Sequence, residues 1–143
     1  MDYNSIDSLT TALLDYDGVV ITLRQTGLRP HLNLVNTAVT ANIKRIIPSE
    51  SGSDTTNPMA AALPISADKV AVKAHLKELA AANHISYTLV ISGPIFDWGL
   101  QVKFLLDLAS STPELYDGGD RRFSTTTLAG IGKAVVGVFR DPA

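Results

Sequence analysis

Apolar residues recur along the chain in two patterns, one typical of helices and the other of buried strands. Spacings of three and four residues predict helices over 5–14, 30–43, 66–82 and 126–139. Apolar, mostly β-branched runs predict strands over 19–23, 45–47 and 86–92, and a shorter one over 114–116. Helix and strand alternate as far as residue 92 with connections too long for hairpins, which predicts an α/β fold with a parallel sheet and flanking helices. The last helix is expected to bury Leu128, Ile131, Val135 and Phe139.

Turn-forming residues separate the second predicted strand from the third predicted helix. Pro48 ends the strand because proline has no N–H to donate to a neighbouring strand. Serine, glutamate, glycine, aspartate and asparagine follow as far as Pro58, and a helix opens near Ser66 with Lys69 in its first turn. A strand end, a polar loop and a charged helix start are typical of reactive sites in α/β proteins. We therefore predict a functional site at the carboxyl edge of the sheet.

Composition excludes several classes of function. At 143 residues the chain suits one domain, and its net charge of -2 gives no attraction to nucleic acid or to an anionic membrane. It has no cysteine, which excludes disulfides, thiolate nucleophiles and cysteine-ligated zinc. The first residues lack the pattern of a signal peptide, and no apolar run reaches the length of a membrane span. We expect a soluble, cytoplasmic protein with no nucleic-acid or membrane partner.

Eight segments of the chain carry a family resemblance. They include Lys-Arg-Ile-Ile-Pro-Ser-Glu at 44–50, Gly-Pro-Ile-Phe-Asp-Trp at 93–98 and Tyr-Asp-Gly-Gly-Asp at 116–120, and the others are 8–13, 17–20, 52–54, 69–72 and 86–90. Taken in their order along the chain, these segments resemble the NmrA-like, isoflavone-reductase-like branch of atypical short-chain dehydrogenases found in fungi. The resemblance implies a Rossmann-like fold, NADP(H) as cofactor and reduction of a small metabolite, often in secondary-metabolite pathways.

Members of that family place a strand, a glycine-rich phosphate loop and a helix before the segment that matches the start of this chain. The resemblance therefore implies a single NmrA-like domain over 1–143 that is truncated at its N-terminal side, with an incomplete Rossmann-like sheet. Gly130 and Gly132 do not replace the phosphate loop, because Val135 stands where a third glycine is needed. Such a truncation would expose the strand at 19–23 as an edge, and we expect self-association through it.

The resemblance also implies roles for individual residues. Lys69 matches the lysine that moves protons or holds the nicotinamide ribose in these reductases. The other implied contacts are Thr22, Leu23, Arg24, Ile95 and Phe96 to the cofactor, and Pro48, Ser49 and Glu50 to the substrate. From the residues alone, Lys69 at a helix start should have a lowered pKa, which the neighbouring Asp68 opposes.

Plainer interpretations stay open for each of these residues. Lys69 could belong to a solvated stripe with Lys73 and Lys77, and Lys73 is a weaker alternative for the site. The strand-end residues could be core, and Glu50 could cap a helix. The histidines His31, His75 and His84 lack metal-ligand spacing, so we expect no metal site and place them at the surface or at helix ends. The function is therefore either an NADPH-dependent reductase or a non-catalytic relative that binds dinucleotide weakly or is inactive.

Overall fold

A three-stranded parallel sheet lies at the centre of the computed structural model, which describes residues 1–23 and 27–141. Its strands are β1 (Gly18–Val20), β2 (Arg45–Ile47) and β3 (Ser86–Tyr87), and they lie side by side in the order β1-β2-β3. Val19 pairs with Ile46, and Ile46 pairs with Tyr87 on its other side. The predicted parallel α/β arrangement is thus confirmed.

Six α-helices surround the sheet in the described residues. They are α1 (Ile6–Leu13), α2 (Leu28–Thr40), α3 (Pro58–Ala61), α4 (Ala67–Ala81), α5 (Phe96–Gln101) and α6 (Leu128–Arg140), with 3-10 turns at Pro64–Ser66 and Tyr116–Gly119. In the described residues three helix starts are capped by side chains, since Ser5 Oγ accepts from the N–H of Ser8, Asn57 Oδ1 from that of Met59 and Thr127 Oγ1 from that of Gly130. None of the helices in the described residues is long and apolar enough to cross a membrane.

The hydrophobic core lies on one face of the sheet, beneath α1, α2 and α4. Helix α2 packs against both of the others. Leu9, Val35 and Leu76, one from each helix, are fully buried and meet Ile46 of the central strand. Burying a side chain of this size stabilises the fold by about 1.5–3 kcal/mol. The apolar spacings that predicted these helices therefore reflect a real common core.

Three strand predictions need correction. The first strand spans Gly18–Val20 rather than 19–23. No strand forms over 114–116 in the described residues, because Asp117 and Gly118 adopt positive φ angles of 52° and 72° and turn the chain. The third strand pairs only at Ser86–Tyr87 rather than over 86–92. Thr88 N–H still donates to the carbonyl of Ile46, but Pro48 ends β2 just beyond, so the later residues have no β2 neighbour to pair with.

The last helix, α6, does not bury the residues expected of it. Leu128 and Phe139 are 51% and 43% exposed, and Ile131 and Val135 are only half-buried. The helix meets the sheet through its final turn, where the ring of Phe139 occupies the space that a Cβ on Gly18 would need. The Arg45 guanidinium donates to the carbonyls of Val138 and, at 2.9 Å, Asp141. At its start α6 meets α5, where Leu128 N–H donates to the carboxylate of Asp97. Contacts at the two ends leave most of the apolar face uncovered.

Candidate functional site at the carboxyl edge of the sheet

A small cavity lies where β1 and β2 end and α4 begins. Its volume is about 40 Å3, which is enough to admit a small polar group. The side chains that line it come from the end of the first strand, from α2, from the segment after the second strand and from the start of α4. They are Leu23, His31, Pro48, Ser49, Glu50, Ile65, Asp68, Lys69 and Val72.

Lys69 is the cation of this cavity. Its Nζ donates a hydrogen bond of 2.8 Å to the carbonyl oxygen of Ser51, which fixes the amine against the polar loop. Burial lowers the pKa of Lys69, because the charged form loses water, and the carboxylate of Glu50 opposes that change. The direction agrees with the sequence prediction, but burial rather than the helix start is the main cause. The opposing charge is that of Glu50 rather than Asp68.

Glu50 is a buried carboxylate next to Lys69. It is 2% exposed, and its Oε2 accepts a 2.9 Å hydrogen bond from Thr55 Oγ1. The Thr55 hydroxyl in turn accepts from Lys73 Nζ at 2.9 Å, and the Thr55 carbonyl accepts from the same amine at 2.6 Å. Glu50 therefore pairs with a loop residue instead of capping a helix. Lys73 holds that loop in place and does not line the cavity.

The structure brings together five of the predicted site residues: Leu23, Pro48, Ser49, Glu50 and Lys69. Ser49 Oγ donates to the carbonyl of Leu23 at 3.0 Å, which ties the ends of β1 and β2 together. This contact explains why the strand-end rule grouped these residues correctly.

Of the remaining predicted contacts, Thr22, Ile95 and Phe96 do not line the cavity. Thr22 is exposed at the end of β1, and Arg24 lies outside the described residues. Ile95 forms an isolated bridge with Thr126, while Phe96 lines a separate apolar cleft of about 740 Å3 next to α5. The loop that follows β2 contacts the segment that precedes Ile95, since Gly52 N–H donates to Ser92 Oγ at 3.1 Å.

His31 lines the cavity, although the sequence analysis did not place it at the site. It stands in the first turn of α2, as expected for a helix-end histidine, but it is 8% exposed and not at the surface. The signal was its spacing, because His31 precedes the buried Leu34, Val35 and Ala38 by three, four and seven residues. A buried imidazole, a buried carboxylate and a half-buried amine therefore meet in one small space, which suits proton donation to a bound polar group. No group of three potential metal ligands forms in the described residues.

Curated fungal proteins are similar to nearly the whole chain. Oxidoreductase poxI of Penicillium oxalicum is 32% identical over 96% of this chain, and oxidoreductase aprR of Aspergillus flavus is 27% identical over 94% of it. The matches cover 45% and 46% of those proteins, so the chain spans about half the length of the curated relatives it matches. No family model matches the chain.

Two solved structures share its fold. AtPrR2, a pinoresinol reductase solved with NADP+ and (+)pinoresinol, matches 99% of this chain with a TM-score of 0.73 and 23% identity, over 48% of its own length. The triphenylmethane reductase of Citrobacter sp., complexed with NADP(H), matches 72% of this chain with a TM-score of 0.55 and 20% identity, over 36% of its own length. The chain therefore has the Rossmann-like fold of these two structures. The resemblance to the NmrA-like, isoflavone-reductase-like family is confirmed. Within that fold, the cavity around Lys69 lies at the carboxyl ends of the parallel strands, the usual ligand edge.

Proposed function

We propose that this chain forms the proton-donating part of an NADPH-dependent reductase site for a small metabolite. The observation that carries the proposal is the amine of Lys69, held at the ends of β1 and β2 beside a buried carboxylate. The similarity to fungal oxidoreductases and the fold shared with two NADP-bound reductases support it. The family resemblance also supports a cytoplasmic role in secondary metabolism.

The donor set fits one part of the cofactor. The ammonium of Lys69 can donate to ribose hydroxyls. We propose that Thr22, Leu23, Arg24, Ile95 and Phe96 contact the nicotinamide end; among those that the structure describes, Leu23 lines the cavity. In the described residues no glycine-rich turn joins a strand directly to a helix N-terminus, so the pyrophosphate has no such contact here. When bound, NADPH would supply the hydride.

Lys69 would supply the proton that balances the reduction. The carbonyl of Ser51 orients the Nζ, and the nearby charge of Glu50 favours the protonated form that can donate. We propose that Pro48, Ser49 and Glu50 form the floor against which a substrate oxygen rests. A lowered pKa brings the amine closer to neutral pH, where proton transfer in both directions is fastest.

The test compares two lysines on the same helix. NADPH is titrated against the chain while the fluorescence of Trp98 is followed, and NADPH oxidation is then measured with a panel of small aromatic ketones. Lys69→Ala should lower the rate by about 10^2- to 10^4-fold, whereas Lys77→Ala, an exposed position on α4, should leave it unchanged. Equal rates in both variants would remove Lys69 from the reaction. Binding of NADPH with no turnover of any ketone would favour the non-catalytic alternative.

We also propose self-association through β1. Within the described residues this strand pairs on one side only, with β2, and its Val20 is 40% exposed. An unpaired apolar edge favours pairing with a second chain. Sedimentation should show a dimer or larger species that Val20→Lys converts to monomer, and a monomeric wild-type chain would contradict the proposal.

A further inference from the structure

His31 is a buried titratable side chain that the proposed proton transfer does not use. It reaches the cavity from α2, whereas Lys69 reaches it from α4 and Glu50 from the loop that follows β2. A side chain that is 8% exposed normally has its polar atoms hydrogen-bonded. One of the two ring nitrogens of His31 is hydrogen-bonded, and the other is not.

The hydrogen bond made by one nitrogen defines the state of the other. His31 Nδ1 lies 3.0 Å from the carbonyl oxygen of Gly27. A carbonyl oxygen can only accept, so Nδ1 carries the proton and, in the neutral ring, Nε2 is left as an acceptor. In the described part of the chain, Nε2 has no hydrogen-bond partner. It is also not sealed away, because the one fully enclosed side-chain polar atom without a partner in that part is Thr37 Oγ1. Nε2 therefore keeps some contact with open space, and the ring that carries it lines the cavity.

The other groups of the cavity limit what can bind there. Lys69 Nζ donates to Ser51 and makes no hydrogen bond to the imidazole, so the acceptor and the amine are not paired with each other. A hydroxyl can donate to Nε2 and accept from Nζ at once, whereas a carbonyl cannot donate. A carboxylate or phosphate would face the negative charges of Glu50 and Asp68. A cavity of about 40 Å3 has room for such a hydroxyl.

We propose that His31 is a ligand-binding residue whose Nε2 accepts a hydrogen bond from a hydroxyl group of the molecule that Lys69 engages. The inference rests on the proposed function, since both the ribose of NADP(H) and the alcohol formed from a ketone carry such a hydroxyl. The hydroxyl is the common chemistry, and its source is decided by the probe that binds.

The experiment follows the ring nitrogens of His31 by NMR in chain labelled with 15N-histidine. The probes are NADP+, benzyl alcohol and benzyl methyl ether, with the exposed His84 as internal reference. The Nε2 resonance of His31 should move towards the value of a hydrogen-bonded nitrogen with NADP+ or with benzyl alcohol, and it should not move with the ether. A response to NADP+ identifies the ribose as the source, and a response to the alcohol alone identifies the substrate side.

Two variants separate an acceptor role from packing. His31→Gln keeps a hydrogen-bond acceptor and should keep most of the affinity for the responding probe, while His31→Leu should weaken it about tenfold. No movement with either hydroxyl probe, an equal response to the ether, or equal affinity in His31→Leu and wild type would each overturn the proposal. Failure of the proposed function is read separately, since turnover retained by Lys69→Ala would end the reductase mechanism without changing the Nε2 response.

Discussion

The chain divides into two regions that are similarly apolar but differently buried. Every buried core residue of the described chain lies before residue 87, in the sheet and the three helices on its face. After residue 87 the large apolar side chains are mostly open to solvent, for example Leu108 and Tyr116, each 72% exposed. The difference shows that apolar residues become a core only where elements of matching shape surround them.

The cavity around Lys69 belongs to the first region alone. Its lining residues run from Leu23 to Val72, and the buried Glu50 and His31 depend on the same packing as the core. The second region offers apolar surface around α5 and α6, which is the kind of surface that marks an interaction site or an aggregation risk. The cavity and the hydrophobic core therefore lie in the same region, while the later region contributes exposed apolar surface.

The largest expected effect comes from truncating a buried leucine of the first region, with an exposed leucine of the second region as the comparison. Leu76→Ala removes a fully buried side chain from α4 and should lower the free energy of unfolding by about 2–5 kcal/mol. Leu108→Ala, at a side chain that is 72% exposed, should change it by less than about 0.5 kcal/mol. Urea denaturation followed by circular dichroism measures both. Similar losses in the two variants would mean that the second region is packed in solution.

A smaller effect is expected at the contact between the regions. Arg45→Met removes the hydrogen bonds that the guanidinium makes to the carbonyls of Val138 and Asp141, which should weaken the docking of α6 by on the order of 1 kcal/mol. Hydrogen exchange should rise in the amides of α6 and stay unchanged in those of β2. Arg140→Met, on an exposed residue at the end of α6, is the matched control. Faster exchange in both elements would show that the regions unfold as one.

The sequence predicted the first region well because its patterns report burial. The strand at 45–47 has the predicted bounds. The third predicted helix, which is α4, begins within one residue of its expected start. In the second region the same reasoning failed at α6, where Leu128 and Phe139 are exposed. An apolar face indicates that a helix can be covered, but the spacing does not tell which surface covers it.

The site was predicted to the extent that it follows from local rules. Strand ends, the loop after Pro48 and the helix start at Lys69 meet as expected, because parallel strands end at one edge. His31 was missed because it reaches the cavity only through the packing of α2 against α4. The spacing of His31 indicated that it is buried in α2, but spacing does not tell which cavity a buried side chain meets.

The smallest expected effect concerns the charge balance in the cavity. Lys69 is only half-buried, so solvent weakens its interaction with Glu50. Glu50→Gln removes the charge that opposes the lowering of the Lys69 pKa, so that pKa should fall further. Lys69 would then lose its proton at a lower pH, and the basic limb of the rate profile should move to lower pH. Glu78→Gln, on the exposed side of α4, should leave the profile unchanged.

The same pKa fixes the sign of a stability measurement. Because Lys69 has a lower pKa in the folded chain than its ordinary 10.5, the unfolded chain binds more protons between the two values. The contribution of Lys69 to stability should therefore rise with pH across that window, and the window should widen towards lower pH in Glu50→Gln. Urea midpoints measured over the alkaline range test this in both proteins. A window of unchanged width in the variant would mean that Glu50 does not act on Lys69.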